Sequence, residues 1–442
     1  MELKINDTLR TVQGQTVTVR EFIGSGGQGN VYKVDYAGVP KALKLYHEKT
    51  LSRMEKRGSL KGFHDNLVSN IRAKSPAKQF IWPEDITEWN GSAESPFGYI
   101  MDLRPEGYTG LTEIFGIYGK GETPFPDYNT MFRAAINIIE GFRTLHNHGY
   151  SYQDINDGSF FINCKTGDVL ICDNDNVSVN STNFGISGKM RYMAPEIVLG
   201  GTPDKFSDRF SLAVILFRLL FRRQHPLEGK YSMAPCMTPE YEKLYYGSAP
   251  LFLFDPDDNR NAPEAYLGQS AVMTLWPRYP AVIRNLFIQT FGKTGVRSPD
   301  KRPVDITWLK AFTQLDACTI NCPGCGRTVF LDPDSSVQCS KCGKQLRAPF
   351  NLLCGSFEIP VVPGTEITNY VVDPTSVNCA GIYMRVVKQP DGQVVFVNCS
   401  NDSWTVHYQD GRSETTEKNE TAVILQGMKL IAHGNVIELK RC

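Results

Sequence analysis

A multidomain α+β architecture is predicted by three features of the sequence. Its 442 residues exceed one ordinary domain, so two or three are expected. Up to about Asp316, strand-like alternation and helix-like apolar spacing are interleaved. Beyond it the composition changes to two CxxC pairs, and from Phe357 to Leu439 short strands and turns follow one another.

Composition narrows the classes of function. The chain is 41% hydrophobic and 21% charged, as expected of a soluble globular protein, and its net charge of +0 gives no global attraction to nucleic acid or anionic membrane. The N-terminal MELKINDTLR has no apolar core of a signal peptide. The longest apolar run, Phe210–Phe221, is interrupted by Arg218 and too short to span a bilayer, so it reads as a buried helix. Four of the twelve cysteines form the two CxxC pairs, which favours metal binding in a reducing cytoplasm over a disulfide framework.

In chain order, Thr11–Val19 alternates like a strand. Gly24-Ser25-Gly26-Gly27-Gln28-Gly29-Asn30-Val31 follows, fitting G-x-G-x-x-G-x-V, with strand-like VREFIG before it and VYKVDY after it. A dinucleotide-binding turn must lead into a helix. A Gly-rich turn between two strands instead suits a hairpin laid over phosphates, where missing Cβ atoms let backbone N–H groups come close. Lys41-Ala42-Leu43-Lys44-Leu45 reads as the next strand. Arg53–Arg57 and Lys61 make a basic stretch that reads as loop, and Gly107–Tyr128, rich in Gly and Pro, reads as another. Met131–His146 has apolar residues at helical spacing and stops at Asn147-His148-Gly149, with His146 and His148 expected as turn residues.

The stretch Gly149–Glu196 carries the chemistry. Asp154 lies in a turn, Asp173 follows a short apolar strand, and strand-like FFIN and DVLIC between them would bring both carboxylates to one cleft. Phosphoryl transfer needs one carboxylate to orient the attacking hydroxyl and another to hold Mg²⁺ on the phosphates. At this point the chain resembles the eukaryotic-type (Hanks-type) protein Ser/Thr kinases, with YQD for HRD, DND for DFG, and Ala194-Pro195-Glu196 for APE. Ser207-Asp208-Arg209-Phe210-Ser211-Leu212 and Pro299-Asp300-Lys301-Arg302-Pro303 continue the family's order, and the resemblance covers roughly residues 12–313. Residues 225–298 give few recognisable signals.

The resemblance implies a bilobal kinase-like domain over 1–315, with small lobe 1–104 and large lobe 105–315. It implies ATP held by Gly24, Ser25, Gly26, Gly27, Gln28, Gly29, Val31 and Ala42 and by Lys44 on the phosphates, with Met101, Asp102 and Arg104 along the adenine. Asp154 would be the base. Asp173 would hold Mg²⁺, with Ser159 standing where the family has a metal-binding Asn. Asp208 would accept hydrogen bonds from the catalytic turn, and Arg302 would pair with Glu196. The family pairs its strand lysine with a helix glutamate, and Glu55 and Asp65 are the candidates for that partner of Lys44. Gln153 replaces the family's arginine beside the base. The segment holding Thr182 and Ser187 should therefore order without phosphorylation, with Lys189 and Arg191 as the basic residues that could stand in for that arginine.

Cys322-Pro323-Gly324-Cys325-Gly326 and Cys339-Ser340-Lys341-Cys342-Gly343, thirteen residues apart, are two zinc knuckles. Together they predict a closed, structural Zn²⁺ site of Cys322, Cys325, Cys339 and Cys342 in a ribbon over 316–350. Residues 351–442 read as an all-β sandwich. VNCSNDSWTV and LQGMKLIAHGNVIEL resemble a forkhead-associated domain, which implies phosphopeptide binding with Arg385 and His407 as phosphate contacts. The whole looks like bacterial kinases that work beside a metal-dependent phosphatase and a von Willebrand-type partner. Three readings stand: an active protein kinase acting on a protein substrate, a pseudokinase that scaffolds or binds nucleotide, and a small-molecule kinase on the same scaffold, against which Ala194-Pro195-Glu196 and the Asp208 helix suggest a peptide-substrate lobe.

Overall fold

The computed structural model describes residues 2–185, 188–233 and 236–442. Six strands, β1 (Thr8–Arg10), β2 (Thr16–Ser25), β3 (Gly29–Tyr36), β4 (Val39–Tyr46), β5 (Asp85–Ile86) and β6 (Gly98–Met101), form one antiparallel sheet in the order β1-β2-β3-β4-β6-β5. Alternation drives it: Val17, Val19, Tyr32, Val34, Leu43 and Leu45 are buried together on one face. Close approach of β3 to β4 depends on Gly29, where an added Cβ would lie 2.3 Å from the Leu45 carbonyl oxygen.

The basic stretch expected as loop is instead two helices, α1 (Glu48–Lys56) and α2 (Leu60–Ala73). Leu60, Phe63, Leu67 and Asn70 of α2 recur at helical spacing and are buried, while the charged residues cover the opposite face. The basic residues and Gly58 hid that stripe in the sequence. Gly107–Tyr128 also holds a helix, α3 (Leu111–Gly119), which buries Leu111, Ile114, Phe115 and Tyr118.

The large lobe is built on α4 (Tyr128–Asn147), a one-turn helix α5 (Pro195–Val198) and α6 (Lys205–Leu220). Asp127 caps α4 by accepting from the Thr130 backbone N–H at 2.7 Å. Asp204 and Ser207 form a reciprocal capping box on α6. Helix α6 is buried nearly all round, and each fully buried Leu, Ile or Phe contributes roughly 1.5–3 kcal/mol. Among the described residues, the uninterpreted stretch 225–298 includes the α-helices Pro239–Lys243, Ser270–Leu275, Ala281–Phe291 and Lys293–Arg297. Among the described residues no helix is long and apolar enough to cross a membrane.

Helix Asp305–Ala317 leads into two short hairpins, Thr319–Asn321 with Thr328–Phe330 and Val337–Gln338 with Gln345–Leu346. Two further antiparallel sheets follow. One runs in the order Phe357–Val361, Phe350–Cys354, Asn435–Arg441, Lys429–Ala432, Trp404–His407, Ser413–Thr416. The other runs Glu366–Thr368, Ile382–Lys388, Val394–Asn398, Thr421–Val423. Leu352, Ile437, Trp404, Met384 and Phe396, drawn from both sheets, belong to one apolar core that is continuous with that of the large lobe. At the junction Arg133 of α4 pairs with Glu366 and lies 3.6 Å from Asp316. Asn129 donates to Asp316 Oδ1 at 2.9 Å, which ties α4 to the helix Asp305–Ala317, while the Arg133–Glu366 pair fastens the C-terminal sheets to α4.

Candidate functional site

Lys44 meets two carboxylates of one turn beneath the β2–β3 hairpin. Lys44 is carried by β4, pairs in register with Val31, and is almost fully buried. Its Nζ donates to Asp175 Oδ2 at 2.9 Å and Asp173 Oδ1 at 3.1 Å, and lies 3.4 Å from Gln28 Oε1 in the Gly-rich turn. Burial alone would lower the pKa of Lys44. Asp175, Tyr99 and Asp173 outweigh it and hold the ammonium well above its ordinary value. The turn itself is closed by Gly26 N–H donating to the Gly29 carbonyl at 2.9 Å. Ala42 and Met101 face each other across β4 and β6, both buried. Asp102 turns its carboxylate outward to Lys41 at 2.6 Å, and the Arg104 guanidinium lies over the Phe161 ring at 4.5 Å.

Asp173 has left-handed backbone, φ 58 and ψ 42, which a non-glycine residue adopts at a cost. The turn is fixed by its neighbour: the buried Asn174 side-chain amide donates to the Ile81 carbonyl at 2.6 Å and the Ile171 carbonyl at 3.0 Å. Asp173 is thereby presented with its side chain 46% exposed, while that of Asp175 is 0% exposed.

Asp154 sits on a turn held from below. Asp208 at the start of α6 accepts from Tyr152 N–H at 2.6 Å and Gln153 N–H at 2.9 Å. Asp208 is itself 3.2 Å from His146, which lies 2.9 Å from Asp305 on its other side. Burial would lower the His146 pKa, but the two carboxylates raise it to about 9. His146 is thus a buried cation bracing the turn, and the turn-residue expectation for it is corrected. The Asn156 side-chain amide donates to Asp154 Oδ1 at 3.0 Å. Burial pushes the Asp154 carboxyl up to about 7; Asn156 pulls it down, and Asp173 and Asp175 add to the rise. The segment after Asp173 returns directly over this carboxylate, since a Cβ on Gly188 would lie 3.2 Å from Asp154 Oδ1. Ser159 is buried, and its Oγ has no hydrogen-bond partner among the described residues.

An ion pair ties Glu196 to the loop before helix Asp305–Ala317. Arg302 donates through Nη1 and Nη2 to the two oxygens of Glu196 at 2.6 and 2.8 Å, and through Nε to the Gly295 carbonyl at 2.8 Å. Gln153 reaches the segment around Thr182. Its Nε2 donates to the Thr182 carbonyl at 2.5 Å and to Ser178 Oγ at 2.6 Å, and its Oε1 accepts from Asn183 at 2.8 Å. From the small lobe, Arg57 donates to the Gly185 carbonyl at 2.7 Å and Ser59 to the Phe184 carbonyl at 2.8 Å. Lys189 pairs with Asp157 at 3.2 Å and Arg191 with Glu228, so both basic residues have partners of their own. Ser187 lies outside the described residues.

The two candidate partners for Lys44 are both displaced by the structure. Glu55 accepts from the Ala93 N–H at 3.1 Å, and Asp65 pairs with Lys61 at 2.6 Å on the exposed face of α2. The buried face of α2 toward this site is apolar, with Phe63 5.3 Å from the Tyr46 ring. The carboxylate that meets Lys44 belongs to Asp175, which also accepts from the Tyr46 hydroxyl at 2.7 Å. A signal for it was present: an acidic residue at the glycine position of the DFG-like tripeptide, and only one acid on α2.

The four ribbon cysteines converge. Their sulfur atoms all lie within 4.8 Å of one another, with Cys322–Cys342 at 3.7 Å and Cys325–Cys339 at 3.6 Å. A tetrahedral Zn²⁺ with ~2.3 Å bonds to sulfur sets its ligands about 3.8 Å apart, so the cluster fits. In each knuckle the glycine after the second cysteine has positive φ, 71° at Gly326 and 74° at Gly343. Each donates back to the first cysteine's carbonyl, at 2.8 and 2.9 Å. In the C-terminal sheets Arg385 pairs with Glu366 at 2.6 Å and His407 meets Ser413 at 2.7 Å. They lie on different sheets.

Comparison with known proteins agrees with this geometry. Residues 108–240 match the family model of the protein kinase domain. The chain is similar to protein kinase YegI of Escherichia coli O157:H7, 25% identical over 331 residues, which is 71% of this chain and 48% of that protein. YegI of Escherichia coli strain K12 is 24% identical over 326 residues, 71% of this chain and 47% of that protein. The serine/threonine-protein kinase-transforming protein mos of a myeloproliferative sarcoma virus is 24% identical over 260 residues, 52% of this chain and 70% of that protein. The chain spans about half the length of the first two relatives. Together these matches support a protein kinase.

Proposed function

We propose that this chain is an ATP- and Mg²⁺-dependent protein kinase that transfers the γ-phosphate to Ser or Thr of a protein substrate, in the cytoplasm of a bacterial signalling system. The observation that carries the reading is that Lys44 meets Asp173 beneath a Gly-rich hairpin, while Asp154, close enough to feel both charges, sits on a turn braced by the buried Asp208. ATP would lie between hairpin and large lobe, with Lys44 on its phosphates. Asp173 and Ser159 would hold Mg²⁺; the half-exposed carboxylate and the unpartnered hydroxyl fit a hard cation that takes oxygen ligands. Bound there, Mg²⁺ would neutralise charge on the phosphates. Asp154 orients the incoming hydroxyl and takes its proton, a task suited to a carboxyl raised to about 7.

The supporting parts follow. The ribbon of Cys322, Cys325, Cys339 and Cys342 would hold one structural Zn²⁺ and fasten the C-terminal β-domain behind the large lobe. By resemblance, a metal-dependent phosphatase and a von Willebrand-type protein would be partners. One observation favours the rival pseudokinase reading: Ser159 offers a single hydroxyl where the family has an amide oxygen.

Calorimetry separates nucleotide binding from its absence. ATP with excess Mg²⁺ should bind, and Lys44→Ala should weaken binding by about tenfold, the order expected for one charge-assisted contact. No heat at millimolar nucleotide would remove both the kinase and the nucleotide-switch readings. A second expectation concerns control. Because Gln153 ties the segment through the Thr182 carbonyl, not its hydroxyl, the double variant Thr182→Ala, Ser187→Ala should keep most of its activity on an external substrate. A loss beyond about tenfold (~1.4 kcal/mol in the barrier) with the fold intact would show that phosphorylation orders the segment after all.

A further inference from the structure

We propose that Asp175 is the positioning residue for Lys44, doing from within the metal-binding turn what a helix carboxylate does elsewhere, so that α2 takes no direct part in placing the phosphate-binding lysine. This rests on the kinase reading above and deepens it.

One oxygen of the Asp175 carboxylate carries its contacts, while the other, Oδ1, has no hydrogen-bond partner among the described residues. Asp175 is fully buried and its Oδ2 accepts from both Lys44 and the Tyr46 hydroxyl. Lys44 and Tyr46 are two residues apart on β4, so both donors project from the same face of one strand. A buried carboxylate gripped by two donors of one strand has little freedom, and a misplaced unpaired charge there would be costly. Helix α2 offers no competing acid, because Asp65 is on its exposed face and Phe63 and Leu67 fill the inward one.

The helix is instead clamped to the turn's far end. Asn66 and Asn70 both donate to the Val177 carbonyl, at 2.8 and 2.7 Å. Turn, strand and helix therefore form one assembly in which Asp173 faces the metal side and Asp175 the lysine side. A swing of α2 would break amide–carbonyl bonds, but it would not remove the partner of Lys44. Placement of Lys44 is thus coupled to the Asp173–Asp175 turn itself.

Two measurements on the full chain test this. The first does not depend on activity. A hydrophobic carbodiimide joins an amine to a carboxylate in contact with it, and mass spectrometry locates the bond. In the Asp173→Asn variant Lys44 should crosslink to Asp175; a crosslink to Glu55 or Asp65, or none from Lys44, would overturn the proposal. The second is kinetic. Asp175→Asn should lower kcat by about 100-fold while the stoichiometry and affinity of ATP binding stay within about threefold, the split expected when a group acts in the transition state. Tyr46→Phe, which keeps the charge and removes one of the two bonds, should cost about fivefold. Asp65→Ala should leave kcat within about twofold. Equal losses in Asp65→Ala and Asp175→Asn would overturn the proposal, as would an Asp175→Asn defect that added Mg²⁺ fully repairs, since that would make Asp175 a metal ligand. The stated crosslink in Asp173→Asn beside a wild-type protein that transfers no phosphate would instead count against the kinase reading and leave the placement of Lys44 standing.

Discussion

Asn at position 154 is expected to reduce phosphoryl transfer by at least about 1,000-fold while leaving ATP affinity within about threefold, because the carboxylate acts on the substrate hydroxyl and not on the nucleotide. The turn should survive the change. Its backbone is held by Asp208 through Tyr152 and Gln153, and Asn156 would still have an oxygen to donate to. The pH profile adds a signature. Burial pushes the Asp154 carboxyl up to about 7, and the protonated form cannot take a proton. Wild-type transfer should therefore fall as pH drops through about 7, and the residual transfer of Asp154→Asn should not follow that limb. Steady-state kinetics beside calorimetry measures both. Retention of more than a tenth of wild-type activity would assign the hydroxyl's orientation to another group.

Cys339→Ser is expected to lose the zinc and, with it, the ribbon. Protein purified without added zinc should carry one Zn²⁺ per chain, and the variant less than about half an equivalent. The two hairpins have two or three residues per strand and a small apolar cluster around Ile320, Val329, Leu331 and Leu346. Such a core does not sustain itself, whereas structural Zn²⁺ contributes on the order of 10 kcal/mol of folding free energy. The damage should spread. Phe330 stacks on Tyr279 of the large lobe at 5.2 Å, so thermal melting of the whole chain should fall by several degrees. Metal analysis and a melting curve decide it; unchanged metal content in the variant would rule the site out.

Much of this was legible in the sequence where one local pattern specifies one structure. The Gly-rich stretch between two alternating runs folds as a strand–turn–strand hairpin, and the duplicated CxxCG folds as two facing knuckles. Arg302 and Glu196, far apart in the chain, meet in a half-buried bidentate pair. What the sequence hid was set by tertiary context. Helix α2 looked like a basic loop because its stripe of Leu60, Phe63, Leu67 and Asn70 is interrupted by charges that only packing sorts to the outer face. Asp175 looked like a departure from a glycine. Its value as a partner for Lys44 depends on contacts across more than a hundred residues of chain, which spacing does not reveal. His146 looked like a helix-end residue because its two carboxylates, Asp208 and Asp305, arrive from other helices.

The central claim is that the cleft formed by Lys44, Asp154 and Asp173 moves phosphate. It is tested most directly by incubating the purified chain with γ-labelled ATP, Mg²⁺ and a generic protein substrate, and following label into acid-stable Ser or Thr phosphate. The account predicts incorporation into the substrate that grows with time, disappears without Mg²⁺, and is absent from Asp154→Asn. A chain that binds ATP with Mg²⁺ yet leaves both the substrate and itself unlabelled would contradict it and establish the pseudokinase reading.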